Sequence, residues 1–148
     1  DFIKLANYAE KEKYPFRFLA VGAKNIADYA DSSNNLRVIK ETNEISEHLA
    51  DCDFLIAPFK TPHFSRSVIE AMFYGLIPIV YDVAPLNKLI INNENGFIVK
   101  DLKELRELII EINDAKNYDL QKIRDNCINY ANGNYNTSDI VQKFYEII

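Results

Sequence analysis

The sequence predicts an α/β fold: a Rossmann-like parallel sheet sandwiched by helices, ending in C-terminal helices. Three observations carry this expectation. Short, near-continuous runs of Val, Ile, Leu and Phe recur along the chain, as strands covered on both faces require. Segments of helical apolar spacing separate these runs, the alternation of a parallel sheet with crossover helices. Beyond Val99 the strand runs stop and only helical spacing remains.

In order, Asp1 to Lys13 sets Phe2, Leu5, Ala6 and Ala9 on one helical stripe, and Pro15 ends the helix. Phe16 to Gly22 is an apolar run closed by glycine, read as the first strand. Asn25 to Ala30 reads as a weak helix, Leu36 to Ile39 as the second strand, and Glu44 to Ala50 as a helix. The third strand, Asp53 to Pro58, stops at proline; Ser67 to Tyr74 is a helix with Gly75 as its cap. Ile77 to Tyr81 is the fourth strand, Leu86 to Ile91 a short helix, and Phe97 to Val99 the fifth strand. Leu102, Leu105, Leu108, Ile109 and Ile112 form one helical stripe; Leu120, Ile123, Cys127 and Tyr130 form the next. Asn132-Gly133-Asn134 is expected to break that helix before a last one over Ser138 to Ile148.

Composition narrows the function classes. The chain has 148 residues, one domain in scale, with 48% hydrophobic and 26% charged residues and a net charge of -5. An acidic chain offers no basic face, so nucleic acid is not an expected partner. No apolar run reaches the ~18 residues of a membrane span, which leaves peripheral association open. Cys52 and Cys127 stand 75 positions apart without metal-ligand spacing. They read as buried free thiols in a reducing compartment, hence a cytoplasmic protein.

Ligands of such sheets lie beyond the carboxyl ends of the strands, often at helix N-termini. The loops after Val21, Ile39, Ala57 and Tyr81 are therefore the places to look. Gly22-Ala23-Lys24-Asn25 has one glycine where a dinucleotide fingerprint needs three, and no phosphate loop of the G-x-x-x-x-G-K-[ST] type occurs. The richest stretch runs from Phe54 to Val80. A strand stops at Pro58, a polar loop follows, and a helix starts near Ser67. Backbone N–H groups of residues 64–68, with the positive end of the helix dipole behind them, form an anion site, and Arg66 adds a cation if it faces inward. Each residue has a plainer reading. Arg66 fits a solvated surface cation, and Ser67-Val68-Ile69-Glu70 fits a capping box. His63 fits an ordinary loop residue, His48 a surface residue, and Asp82 the cap of the following turn.

Glu70-Ala71-Met72, then Gly75-Leu76-Ile77-Pro78-Ile79-Val80, then Asn95-Gly96-Phe97-Ile98-Val99 follow one another in an order and spacing that resemble the C-terminal, donor-nucleotide-binding half of a family 4 retaining glycosyltransferase of GT-B fold. The resemblance covers nearly the whole chain. It implies that Glu70 accepts hydrogen bonds from ribose hydroxyls and that the Phe64-Ser65-Arg66-Ser67 backbone holds the diphosphate of a nucleotide-sugar donor. The chemistry suits both roles: a carboxylate can accept from a vicinal diol, and fixed N–H dipoles stabilise charge on a departing diphosphate. It further implies retaining transfer of a hexosyl group to an acceptor hydroxyl, with no cofactor and no bound metal. Base contacts are expected around Lys40 to Thr42.

The chain departs from the family pattern in two ways. The family carries two Glu eight positions apart, and Pro62 occupies the earlier position. His63, as a catalytic candidate, and Lys60, as a donor-binding one, stand nearest to it. The family's first strand, with its Gly-Arg and Lys-Gly cations, also has no counterpart. The expectation is a single nucleotide-sugar-binding domain over residues 1–148, a fragment that lacks one strand and the N-terminal domain that takes an acceptor glycan or lipid. Such a fragment should not turn over alone. A non-catalytic nucleotide-binding scaffold and a sugar-nucleotide epimerase or phosphorylase are the alternatives.

Overall fold

The computed structural model describes residues 1–22, 33–115 and 117–135. The helices read over Asn25–Ala30 and Ser138–Ile148 lie outside the described residues. Eleven elements are described, ten of them regular helices and strands: α1 (Phe2–Lys11), β1 (Phe18–Val21), β2 (Leu36–Ile39), α2 (Ile45–Ala50), β3 (Phe54–Ala57), α3 (Arg66–Phe73), β4 (Ile77–Tyr81), β5 (Phe97–Val99), α4 (Leu102–Asn113) and α5 (Leu120–Asn134), with a single 3-10 turn at Leu86–Lys88. The chain divides into two compact units, residues 1–48 with 101–117, and residues 49–100 with those from 118 onward.

In the first unit β1 and β2 pair in parallel, Phe18 opposite Leu36 and Val21 opposite Ile39. The stripe read in α1 is the buried one: Leu5, Ala6 and Ala9 are fully inside, and Phe2 meets Phe18 edge-on with ring centres 5.6 Å apart. α1 stops before Pro15, because Lys13 takes a left-handed conformation and Tyr14 N–H returns to Ala9 O at 2.9 Å. α4 packs on α1 through its buried Leu105, Leu108, Ile109 and Ile112, and Arg106 lies over the Tyr8 ring at 4.7 Å.

The second unit is built on the parallel order β3-β4-β5. All five residues of β4 are buried, the continuous apolar run of a central strand. Pro78 is tolerated inside it for a geometric reason. Ile77 N–H points to β3, bonding Asp53 O at 2.9 Å, so the proline nitrogen points to the β5 side. There pairing starts only at Ile79 opposite Phe97, and no ladder bond is lost. Gly96 lies against that proline; a Cβ on it would fall 2.7 Å from Pro78 O. α3 and α5 pack on each other and on β4, burying Val68, Ala71, Met72, Ile123, Cys127 and Ala131. Each large apolar side chain buried this way contributes about 1.5–3 kcal/mol.

Several expectations are corrected. Within the expected helix Leu86 to Ile91 only Leu86–Lys88 forms a 3-10 turn, because Asn95 Oδ1 takes the Ile91 N–H at 2.7 Å and draws the backbone away. α5 does not break at Asn132-Gly133-Asn134 but runs to Asn134, whose side chain donates to Tyr130 O at 2.9 Å. Cys127 is buried, Cys52 and His48 only half-buried. No helix among the described residues is long and apolar enough to cross a membrane.

Candidate functional site

Because β3, β4 and β5 are parallel neighbours, their carboxyl ends share one edge of the second unit. Both β3 and β4 end in a tight three-residue turn. Phe59 N–H bonds Ala57 O at 3.0 Å around Pro58, and Val83 N–H bonds Tyr81 O at 2.7 Å around Asp82. These turns throw the segments 58–65 and 82–85 outward at the edge where ligands of such sheets sit.

The first loop is exposed from Phe59 to Phe64, and Phe64 is 54% accessible. His63 stacks at a tilt on Phe59, ring centres 4.5 Å apart. Among the described residues no carboxylate orients its imidazole, as a general base would need. Lys60 is exposed and already engaged.

The loop then delivers Ser65 as the N-cap of α3, in extended conformation and largely buried. This corrects the capping-box alternative. The helix begins one residue earlier than read, Ser67 is inside its first turn, and no Ser67–Glu70 cap forms. Ser65 makes no side-chain cap either. α4 and α5 behave differently: Asp101 Oδ1 accepts from Glu104 N–H and Asp119 Oδ1 from Lys122 N–H, both at 3.0 Å, whereas α1, like α3, has no side-chain cap. At α3 only Val68 N–H turns back, to Ser65 O at 3.2 Å, which leaves the Arg66 and Ser67 N–H groups without an acceptor among the described residues.

Arg66 and Glu70 are one helical turn apart and both exposed, on the face opposite the buried Val68 and Met72. Among the described residues, neither side chain is tied to another. The structure thus brings Ser65, Arg66, Ser67 and Glu70 together at one helix start, with Phe64 beside them. The arrangement can take an anion on backbone N–H groups and hydroxyl donors on a free carboxylate. Lys40 and Thr42 belong to the first unit, where Thr42 Oγ1 accepts the Glu44 N–H at 3.1 Å. No cluster of three or more His, Cys, Asp or Glu suited to a metal occurs among the described residues.

Sequence reasoning placed the helix start on Ser67 because Glu70 completes a capping box there. Ser65 has no acidic partner three residues on, so nothing in the pattern marked it. The other feature missed is the hydrogen bond from Asn87 Nδ2 to Asp82 Oδ1, 2.8 Å, at the end of β4.

Known proteins share this fold. A solved structure from Anabaena, Alr3699/HepE in complex with UDP-glucose, superposes with a TM-score of 0.80 at 20% identity, covering 97% of this chain and 44% of that one. The C-terminal domain of a glycosyl transferase group 1 family protein (LpcC) from Francisella tularensis superposes with a TM-score of 0.73 at 18% identity, covering 92% of this chain and 78% of that one. In sequence, an uncharacterized glycosyltransferase of Haemophilus influenzae is 30% identical over 76 residues, 51% of this chain and 22% of its own length. The chain therefore spans less than half the length of the Anabaena and Haemophilus proteins. The pattern of the family described as "Glycosyl transferases group 1" matches residues 1–133, and the chain belongs to that family.

Proposed function

We propose that this chain binds a nucleotide diphosphate sugar and forms the donor half of a retaining, family 4-type hexosyltransferase that glycosylates an acceptor hydroxyl. The observation that carries the reading is the start of α3. Its N–H groups at Arg66 and Ser67 have no acceptor among the described residues, while α4 and α5 are capped by aspartates. In the reading, the diphosphate lies on the Phe64-Ser65-Arg66-Ser67 backbone, with Arg66 and Lys60 adding positive charge. The Glu70 carboxylate, free on the exposed face, accepts from the ribose hydroxyls. His63 is the remaining candidate for a catalytic side chain. UDP-glucose, held by the Anabaena neighbour, is the first donor to try.

On this reading residues 1–148 make one nucleotide-sugar-binding domain, and the acceptor glycan or lipid is held by a separate N-terminal domain. The Francisella neighbour, itself a C-terminal domain, supports that placement. Cys52 and Cys127, neither of them in a disulfide, suit a cytoplasmic enzyme.

The test is titration calorimetry with UDP and GDP on the full-length protein and its Glu70→Ala variant, followed by a sugar-transfer assay. Loss of about tenfold or more in nucleotide affinity is expected from the lost charged acceptor. Unchanged affinity contradicts the role of Glu70. A second reading, a nucleotide-binding scaffold without turnover, draws on Pro62, which removes a carboxylate from the loop. Binding without transfer in the full-length wild type selects it.

A further inference from the structure

Asp82 is the residue on which the chain turns as it leaves β4. Its backbone is fixed on two sides: its N–H bonds Val99 O at 2.9 Å, extending the ladder to β5, and the Val83–Tyr81 bond closes the turn around it. Its side chain is exposed, yet one oxygen is held by Asn87 Nδ2 at 2.8 Å. An ionised carboxylate only accepts hydrogen bonds, so the Asn87 amide must present its NH2 to Asp82. The amide is thereby locked, and Asn87 Oδ1 faces the interior, buried and without a donor among the described residues. An amide kept in that unfavourable setting is one whose other end has a task.

The segments leaving β3 and β4, residues 58–65 and 82–85, contain no other acidic residue. Asp82 is therefore the one fixed carboxylate those two turns present to the ligand edge. Its remaining lone pairs point to solvent, as a hydroxyl-binding group requires, and its orientation is set before any ligand arrives.

We infer that Asp82 binds a hydroxyl of the transferred sugar and that Asn87 is its positioning residue. This rests on the nucleotide-sugar reading above and adds a determinant for the sugar, separate from the group that holds the nucleotide. Asp82 does no bond-making; it accepts a hydrogen bond from a hydroxyl and so discriminates among sugars by where that hydroxyl lies.

The test compares sugar nucleotides with their own diphosphates. The full-length protein is titrated with UDP-glucose, UDP, GDP-mannose and GDP, and the pair that the wild type binds is carried to the variants. Asp82→Asn should weaken the sugar nucleotide about tenfold while leaving the matching diphosphate within about twofold. Asn87→Ala should weaken the sugar nucleotide in the same selective way, by about threefold. Equal affinity of Asp82→Asn and wild type for the sugar nucleotide overturns the inference and leaves the nucleotide site standing. A wild type that binds none of the four overturns both. If Asp82→Asn loses the diphosphate as well through misfolding, seen as a lowered Tm, Asn87→Ala decides: loss confined to the sugar nucleotide supports the inference, and no selective loss ends it.

Discussion

The Arg124 guanidinium donates to the Asp53 carboxylate at 2.8 Å, tying α5 to the residue whose carbonyl opens the β3–β4 ladder. The aliphatic stem of the same arginine covers Gly75, the glycine that ends α3 in a left-handed turn. An exposed ion pair is worth little, about 0–1 kcal/mol, because water screens it. The stem adds packing that the charge does not. Arg124→Ala should therefore cost about 1–2 kcal/mol in urea unfolding, and Asp53→Asn under about 0.5 kcal/mol. Equal costs would show that charge, not the stem, holds α5.

Gly96 sits at φ +157°, and a Cβ there would fall 2.7 Å from Pro78 O and 2.8 Å from its Cγ. Both neighbours belong to the buried central strand and cannot withdraw. Gly96→Ala should destabilise by about 2 kcal/mol or more, read as a shift in urea midpoint. Gly133→Ala, with nothing within 4 Å of its Cβ, should stabilise α5 by up to about 1 kcal/mol.

The two thiols should differ in reactivity. Cys127 is buried, its S–H donates to Asn95 O at 3.0 Å, and burial pushes its pKa up to about 12. Almost no thiolate exists there at pH 8. Iodoacetamide should label the half-buried Cys52 first, and Cys127 only at the rate at which the second unit opens. Labelling of Cys127 as fast as Cys52 in native protein would contradict this burial.

Glu10 on α1 accepts from the Asn34 side chain at 2.6 Å, from Ser33 Oγ at 2.9 Å and from the Asn34 N–H at 3.0 Å. These bonds hold its carboxyl below the ordinary range, the Asn34 side chain contributing most. A pKa lowered by folding gives stability that is complete above the unfolded value, about 4.3, and is lost as pH falls through the folded one. The gap in urea midpoint between wild type and Glu10→Gln should be constant from pH 7 to about pH 5 and close below about pH 4. A gap independent of pH would assign the effect to shape rather than charge.

All five described strands were legible in the sequence, because each is a short apolar run; four adjoin a Gly, Pro or Asp, and β2 lies between Asn35 and Lys40. The helix stripes were legible for the same reason of period. Helix ends were not. Ser65 and Ser67 are both competent caps, and the choice depends on how the 58–65 loop leaves β3, which local pattern does not encode. Asn95 ends the 3-10 turn from a position that reads only as part of an Asn-Gly turn. In the site, Glu70 and the α3 start were legible from their residue types and spacing. The Asp82–Asn87 contact was not, since it exists only once the turn around Asp82 brings Asn87 back onto it.

The central claim is that a nucleotide diphosphate occupies the open start of α3, and amide hydrogen exchange reads that segment directly. With saturating UDP or GDP added to the full-length protein, exchange at Arg66 and Ser67 should slow by about tenfold or more, while the aspartate-capped starts of α4 and α5 stay unchanged. Nucleotide binding that leaves Arg66 and Ser67 exchanging at their free rate would contradict the account.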